Sequence, residues 1–238
     1  MTRRLILLFV ACMVLAVSSI GGVTAQGETP QARLIQTSAT GQVTTMPDQA
    51  EISVAVQTEN LDPQRAQADN AAIMTRVTDA LKGAGVVDND LKTTGFSLYP
   101  VYDNSGSFLA QNIRTYRVTN TLLIRVTNVT NTGNLLDLAV ANGANNVNSV
   151  TFTLSDAQEQ VVRGQALAAA VRLARADADT VAGAANLTIT GVQEITVNSE
   201  NVPSPLPFAA AAVNAPATPL QPGELTVSAS VSVSYTFA

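Results

Sequence analysis

Apolar and polar positions along this chain follow two periods, and the switches between them mark out its elements. Arg33 to Thr45 reads as a strand with Gly41 interrupting it. Pro47-Asp48 makes a turn, since proline fixes φ and aspartate bonds its local backbone. Ile52, Val54 and Val56 then alternate with Ser53, Ala55 and Gln57, the period of two of a half-buried strand. Asp62-Pro63 opens a helix, because aspartate caps free N–H groups and proline is pre-set for the first turn. Ala66, Ile73, Val77 and Leu81 recur at helical spacing and predict its buried face, and Gly83-Ala84-Gly85 stops it. A strand over Leu91 to Val101 ends at Pro100 and is followed by a polar loop, Asp103-Asn104-Ser105-Gly106-Ser107. Tyr116 to Thr127 is a further strand in which Tyr116, Val118, Leu122, Ile124 and Val126 keep parity except for Asn120. A short helix follows, from about Asn131 to Ala141, ending at Asn142-Gly143.

The same order then returns. Val147 to Leu154 is a strand with Val150, Phe152 and Leu154 on one face. Ser155 begins a second long helix, with Gln158 placed for a capping box and Val162, Ala166, Ala169, Leu173 and Val181 predicted on its buried side. Gly183 and Asn186 end it, and Thr188 to Val197 is a strand. A Pro- and Ala-rich loop runs from about Glu200 to Gly223, and Leu225 to Phe237 alternates closely, with Leu225, Val227, Ala229, Val231, Val233, Tyr235 and Phe237 on one face. The pattern predicts an α+β fold of two strand–helix–strand–strand units, about 50–127 and 147–237. These form mainly antiparallel sheet against two long helices, with the short helix linking them. A single irregular sheet without duplication is the competing reading.

Residues 1–25 have the form of a secretory signal peptide. Arg3 and Arg4 are its positive region, Leu5 to Val17 is apolar, and Val23-Thr24-Ala25 supplies small residues for cleavage between Ala25 and Gln26. A retained membrane anchor and a lipoprotein leader are the alternatives. The apolar run is short for a spanning helix, and Met13 to Val17 continue it past Cys12, where a lipid-modified cysteine would close it. Processing leaves residues 26–238 as one domain that is secreted or periplasmic, with no stable membrane insertion. It removes the chain's one cysteine, so no disulfide staples the fold. It also takes Lys+Arg from 13 to 11 against 18 Asp+Glu, a net charge of −7. Such a surface has no electrostatic footprint for nucleic acid.

Several stretches resemble the SIMPL-domain family, whose bacterial members include periplasmic immunogenic and oxidative-stress defence proteins. Gly41-Gln42-Val43-Thr44-Thr45-Met46-Pro47-Asp48-Gln49-Ala50 is similar to the family's Gly-x-Val…Pro-Asp-x-Ala signature. Thr94-Gly95-Phe96-Ser97-Leu98-Tyr99-Pro100 with Tyr102 resembles its central strand. Tyr116-Arg117-Val118-Thr119-Asn120 resembles the next strand, although Thr115 replaces a usual glycine and Val118 a usual alanine. Gly143-Ala144-Asn145, Phe152-Thr153-Leu154-Ser155-Asp156 and Pro222-Gly223-Glu224-Leu225-Thr226-Val227-Ser228-Ala229 complete the match in order. The resemblance implies a secreted, homo-oligomeric, non-enzymatic protein, ring- or channel-like in at least one bacterial branch, without catalytic residues to carry over.

Candidate chemistry is sparse. The chain has no histidine, which removes the commonest general base and metal ligand. There is no Gly-x-Ser-x-Gly elbow, and neither lysine, Lys82 or Lys92, lies three residues after a serine. Carboxylates are the remaining route to a hydrolase. Asp177 and Asp179 fall on opposite sides of a helix, Arg175 and Asp179 can pair at i,i+4, and Asp88 and Asp90 sit in a turn. The 103–107 loop could offer oxygens to calcium but lacks the distal glutamate of an EF-hand. No cofactor is implied. Asn128-Val129-Thr130 and Asn186-Leu187-Thr188 are glycosylation sequons. Phe96, Tyr99, Tyr102 and Tyr116 gather around one hairpin, as core and cross-strand packing or as an aromatic interaction surface. The loop 201–223 holds six of the ten prolines and no charge, yet includes Leu206, Phe208 and Val213, the residues expected to pack on a neighbouring subunit. An outer-membrane β-barrel is the alternative class, because Val231 to Phe237 alternates like a closing strand.

Overall fold

The computed structural model describes residues 33–103, 112–198, 204–205 and 218–238, with 204–205 as backbone. The chain divides into Met1–Arg33 and Leu34–Ala238, and the fold is that of the second unit. Its elements are β1 (Leu34–Thr45), β2 (Gln49–Asn60), α1 (Pro63–Gly83), β3 (Leu91–Tyr102), β4 (Ile113–Val126) and α2 (Thr132–Ala141). They continue with β5 (Asn146–Thr153), α3 (Asp156–Ala184), β6 (Ile189–Val197), the two-residue β7 (Ser204–Pro205) and β8 (Leu225–Phe237). All pairings are antiparallel. The first sheet runs β3-β4-β2-β5 and the second β1-β8-β6, with β7 also on β8. The fold is α+β, as the periodicity predicts. Strand–helix–strand–strand occurs twice in chain order, but β5 pairs in the first sheet, and β1 takes the place beside β8.

Each sheet is covered on one face. In the first, Ile52, Val54 and Val56 of β2 and Leu122, Ile124 and Val126 of β4 meet Met74, Val77 and Leu81 of α1 and Leu135, Leu136 and Ala139 of α2. Asp62 caps α1 as expected, its carboxylate accepting from the Gln64 N–H at 2.8 Å. The buried face of α1 includes Asn70, whose Nδ2 donates to the Val56 carbonyl at 2.7 Å and the Val118 carbonyl at 3.4 Å. Ile73, placed on that face by spacing, packs only partly against the core and lies under Gly143 at the end of α2. Asn120, the parity break in β4, falls on the helix side. Its Oδ1 and that of Asn70 are both buried with no hydrogen-bond partner among the described residues.

In the second sheet, Ile35 and Ala39 of β1 and Val231, Val233 and Tyr235 of β8 meet α3. The expected face of α3 needs correction. Its buried residues are Val162, Ala166, Ala170, Ala174, Ala178 and Ala182, while Leu173 and Val181 are exposed and Ala169 is half-buried. The reason lies in Gly41, which is not a break: β1 is continuous from Leu34 to Thr45. A Cβ at Gly41 would meet the Ala166 carbonyl oxygen at 2.1 Å. Helix and strand backbones touch there, and only alanine fits the seam. Thr37 Oγ1 donates to the Ala174 carbonyl at 2.9 Å along the same line.

Candidate interaction surface

Several of the exposed apolar side chains lie on the outer strands β3 and β6. α1 lies over β2 and β4, and α3 over β1 and β8, so the helix-side faces of β3 and β6 are left largely open. On β3, Phe96 opposite Asn120 and Leu98 opposite Val118 are exposed, Phe96 at 55%. On β6, Val192, Ile195 and Val197 stand opposite the buried Tyr235, Val233 and Val231 yet remain about half in water, at 53%, 49% and 52%. Edge strands with half-covered apolar side chains are unusual on a surface that meets only water.

The aromatics of the β3–β4 hairpin do not make one core cluster. Phe96, Tyr99 and Tyr102 are exposed and Tyr116 is half-buried. Phe96 is on the helix side, and Tyr99 is on the other face. There Arg117 joins three strands: its register partners are Glu59 on β2 and Tyr99 on β3. Its Nε donates to the Glu59 carboxylate at 2.5 Å, and its guanidinium lies 5.9 Å from the Tyr99 ring centre. Arg117 beside it holds the Glu59 carboxyl below the ordinary range. The arrangement is a cross-strand ladder.

Three other carboxylates hold pairs or joints within the fold. Asp179 accepts from Arg175 Nε at 3.0 Å, the i,i+4 pair expected, and the Arg175 guanidinium lies 5.5 Å from the Tyr235 ring centre. Asp88 pairs with Lys82 and lies with Asp90 in a single 3-10 turn. Asp137 on α2 accepts from the N–H of Thr218 at 3.1 Å and its hydroxyl at 2.6 Å, bonds that hold its carboxyl below the usual range. Among the described residues no group of three or more His, Cys, Asp or Glu could hold a metal. Asn128 and Asn186 are exposed; Asn128 Oδ1 accepts from Thr130, and Asn186 ends α3 at φ 54°. Leu206, Phe208 and Val213, the cleavage pair Ala25 and Gln26, and residues 104–107 lie outside the described residues.

The sequence motifs themselves turn out to be joints. Asp48 of the Pro47-Asp48 turn accepts from the Ser155 N–H at 2.7 Å and the Ser155 hydroxyl at 2.6 Å, fastening the β1–β2 corner to the start of α3. Asn145 pairs its side-chain amide with the Gln57 backbone, accepting from N–H and donating to the carbonyl, both at 2.8 Å. It thereby starts the β2–β5 ladder one residue before β5. Sequence reasoning named both motifs without the partners that explain them.

The described strands form two open sheets with helices on one face, not the closed ladder of a barrel. No helix among them is long and apolar enough to cross a membrane.

Comparison with known proteins agrees with the motif pattern. Residues 35–235 match SIMPL, described as a protein of unknown function (DUF541). The 26 kDa periplasmic immunogenic proteins of Brucella melitensis and Brucella abortus are each 31% identical over 217 residues, covering 87% of this chain and 86% of theirs. The uncharacterized protein YggE of Edwardsiella ictaluri is 25% identical over 189 residues, 78% of each chain. The match spans both sheets and the three described helices, and this chain belongs to the SIMPL family.

Proposed function

We propose that this chain is a secreted or periplasmic, non-enzymatic scaffold or binding protein that works as a homo-oligomer in envelope maintenance or the oxidative-stress response. The observation that carries the reading is the half-exposed apolar side chains of the outer strands β3 and β6. Assembly covers such surface and gains about 25 cal/mol per Å² of apolar area removed from water. Periplasmic placement is supported by the named location of the Brucella relatives and by the leader pattern of residues 1–25. In this reading the uncharged arm around Leu206, Phe208 and Val213 adds a contact between subunits. The arm re-enters the described fold at Thr218, held by Asp137, and Leu220 packs on the first core. A deletion of 206–216 spares both anchors and lowers the assembled mass.

Native mass spectrometry of the exported protein tests the reading. A defined multiple of the chain mass is expected, and a monomer at all concentrations overturns it. For the physiological part, a strain lacking the gene loses survival under peroxide and recovers it with the wild-type copy; unchanged survival removes the stress role.

A further inference from the structure

The outer edges of the two sheets are not alike. A bare row of strand N–H and C=O groups recruits other strands, and proteins blunt such edges with bulges, charges and prolines. β3 carries Lys92 and Pro100, and Thr94 is an extra residue between the pairs Thr93–Leu122 and Gly95–Thr121. β6 carries Glu194 and two extra residues, Thr190 and Gln193. β5 has one extra residue, Asn148. β1 has none of these devices. It pairs with β8 in one unbroken register from Leu34–Thr236 to Thr45–Leu225 and contains no charged residue and no proline. Among the described residues no strand pairs with its other side, whereas the corresponding side of β2 in the first sheet is taken by β5.

We infer that β1 pairs antiparallel with β1 of a second copy of this chain, joining two second sheets across a two-fold axis. Among the described edges only β1 is unblunted, so the edge that fits it is its own copy. Because the strand is uncharged, self-pairing sets no like charges opposite one another. The flank of the helix above it is also identifiable. Ala169 Cβ stands 3.0 Å from where a Cβ at Gly41 would lie, so this flank of α3 faces β1. Leu173, Asp177 and Val181 follow Ala169 along that flank with the four-residue spacing of the buried stripe, and Leu173 and Val181 are 49% and 50% exposed. Antiparallel self-pairing places both α3 helices on one face of the joined sheet, with these flanks turned towards each other. The inference rests on the assembly reading above and names its two-fold contact; β3 and β6 stay free for others.

The full-length protein tests it by native mass and hydrogen exchange. Gln36→Lys with Gln42→Lys charges two exposed positions of β1, and Leu173→Lys with Val181→Lys charges the helix flank. Each pair is expected to lower particle mass about twofold, with an unchanged far-UV spectrum and faster exchange of β1 amides. Wild-type β1 amides also become more protected as concentration rises, a readout that needs no variant. An assembled wild type whose β1 exchange ignores both concentration and the substitutions overturns this inference alone. A wild type that is monomeric throughout overturns it together with the assembly reading.

Discussion

Gly41 of β1 lies directly on the backbone of α3 at Ala166. A Cβ there would stand 2.1 Å from the Ala166 carbonyl oxygen and 2.5 Å from the Ala170 nitrogen, and neither atom can yield without moving the helix. Gly41→Ala therefore pushes sheet and helix apart and costs about 1–3 kcal/mol in urea unfolding. Gly164, within α3, has nothing within 4 Å of a new Cβ, so Gly164→Ala stabilises by about 0.5–1 kcal/mol. Equal effects at the two sites would contradict the close approach.

The alanine stripe makes a related prediction. Ala174 is fully buried and Ala176 is exposed on the same helix. Ala174→Leu overpacks the seam at a cost of about 1–3 kcal/mol, whereas Ala176→Leu changes stability by less than about 0.5 kcal/mol. Thermal unfolding of the two variants separates them.

Asn70 joins α1 to two strands at once through the Val56 and Val118 carbonyls. Asn70→Ala leaves both without this donor and costs about 1–3 kcal/mol. Asn70→Asp is more damaging and its effect depends on pH. Burial raises a carboxyl's folded-state pKa above its unfolded value, so the variant is best tolerated when protonated and loses stability as pH rises through that raised value. Denaturant titrations at acid and neutral pH read the sign.

The Asp137–Thr218 contact depends on pH in the opposite sense. Its carboxyl is held low by the Thr218 hydroxyl and N–H, so its contribution is full above the ordinary carboxylate range and fades as pH falls through the lowered folded value. Carboxyl NMR should place Asp137 below a free aspartate, and Thr218→Val should raise it. Protection of the amides near Leu220, taken relative to their intrinsic exchange rates, should fall on acidification before that of the sheets.

The strands were largely legible because a half-buried strand displays its inner face at every second residue. Leu225 to Tyr235 is buried at each odd position as the alternation predicts. α3 was not, because size is a poor guide to the inner face when two backbones touch. Leu173 and Val181 outrank alanine in hydrophobicity, yet Gly41, far away in sequence, reserves the seam for the smaller side chain. Asn120 was visible as a break in parity, but its place opposite Val56 required the β2–β4 register. The Asp48–Ser155 joint was equally hidden, since its halves are 107 residues apart. The open apolar faces of β3 and β6 could not be foreseen from strand pattern alone, because the pattern does not say how far a covering helix reaches.

The pairing of β1 with β8 has a consequence for the order in which this protein is made. Leu34 lies opposite Thr236, so the first described strand finds its partner only when the last one arrives. Synthesis delivers β1 early, and the first sheet can close from β2, β3, β4 and β5 while β1 waits. β8 is also the middle strand of its sheet, and a chain cut before Leu225 lacks the strand that joins β1 to β6. The second sheet thus depends on β8: without it, β1 is left with both of its edges unpaired among the described strands.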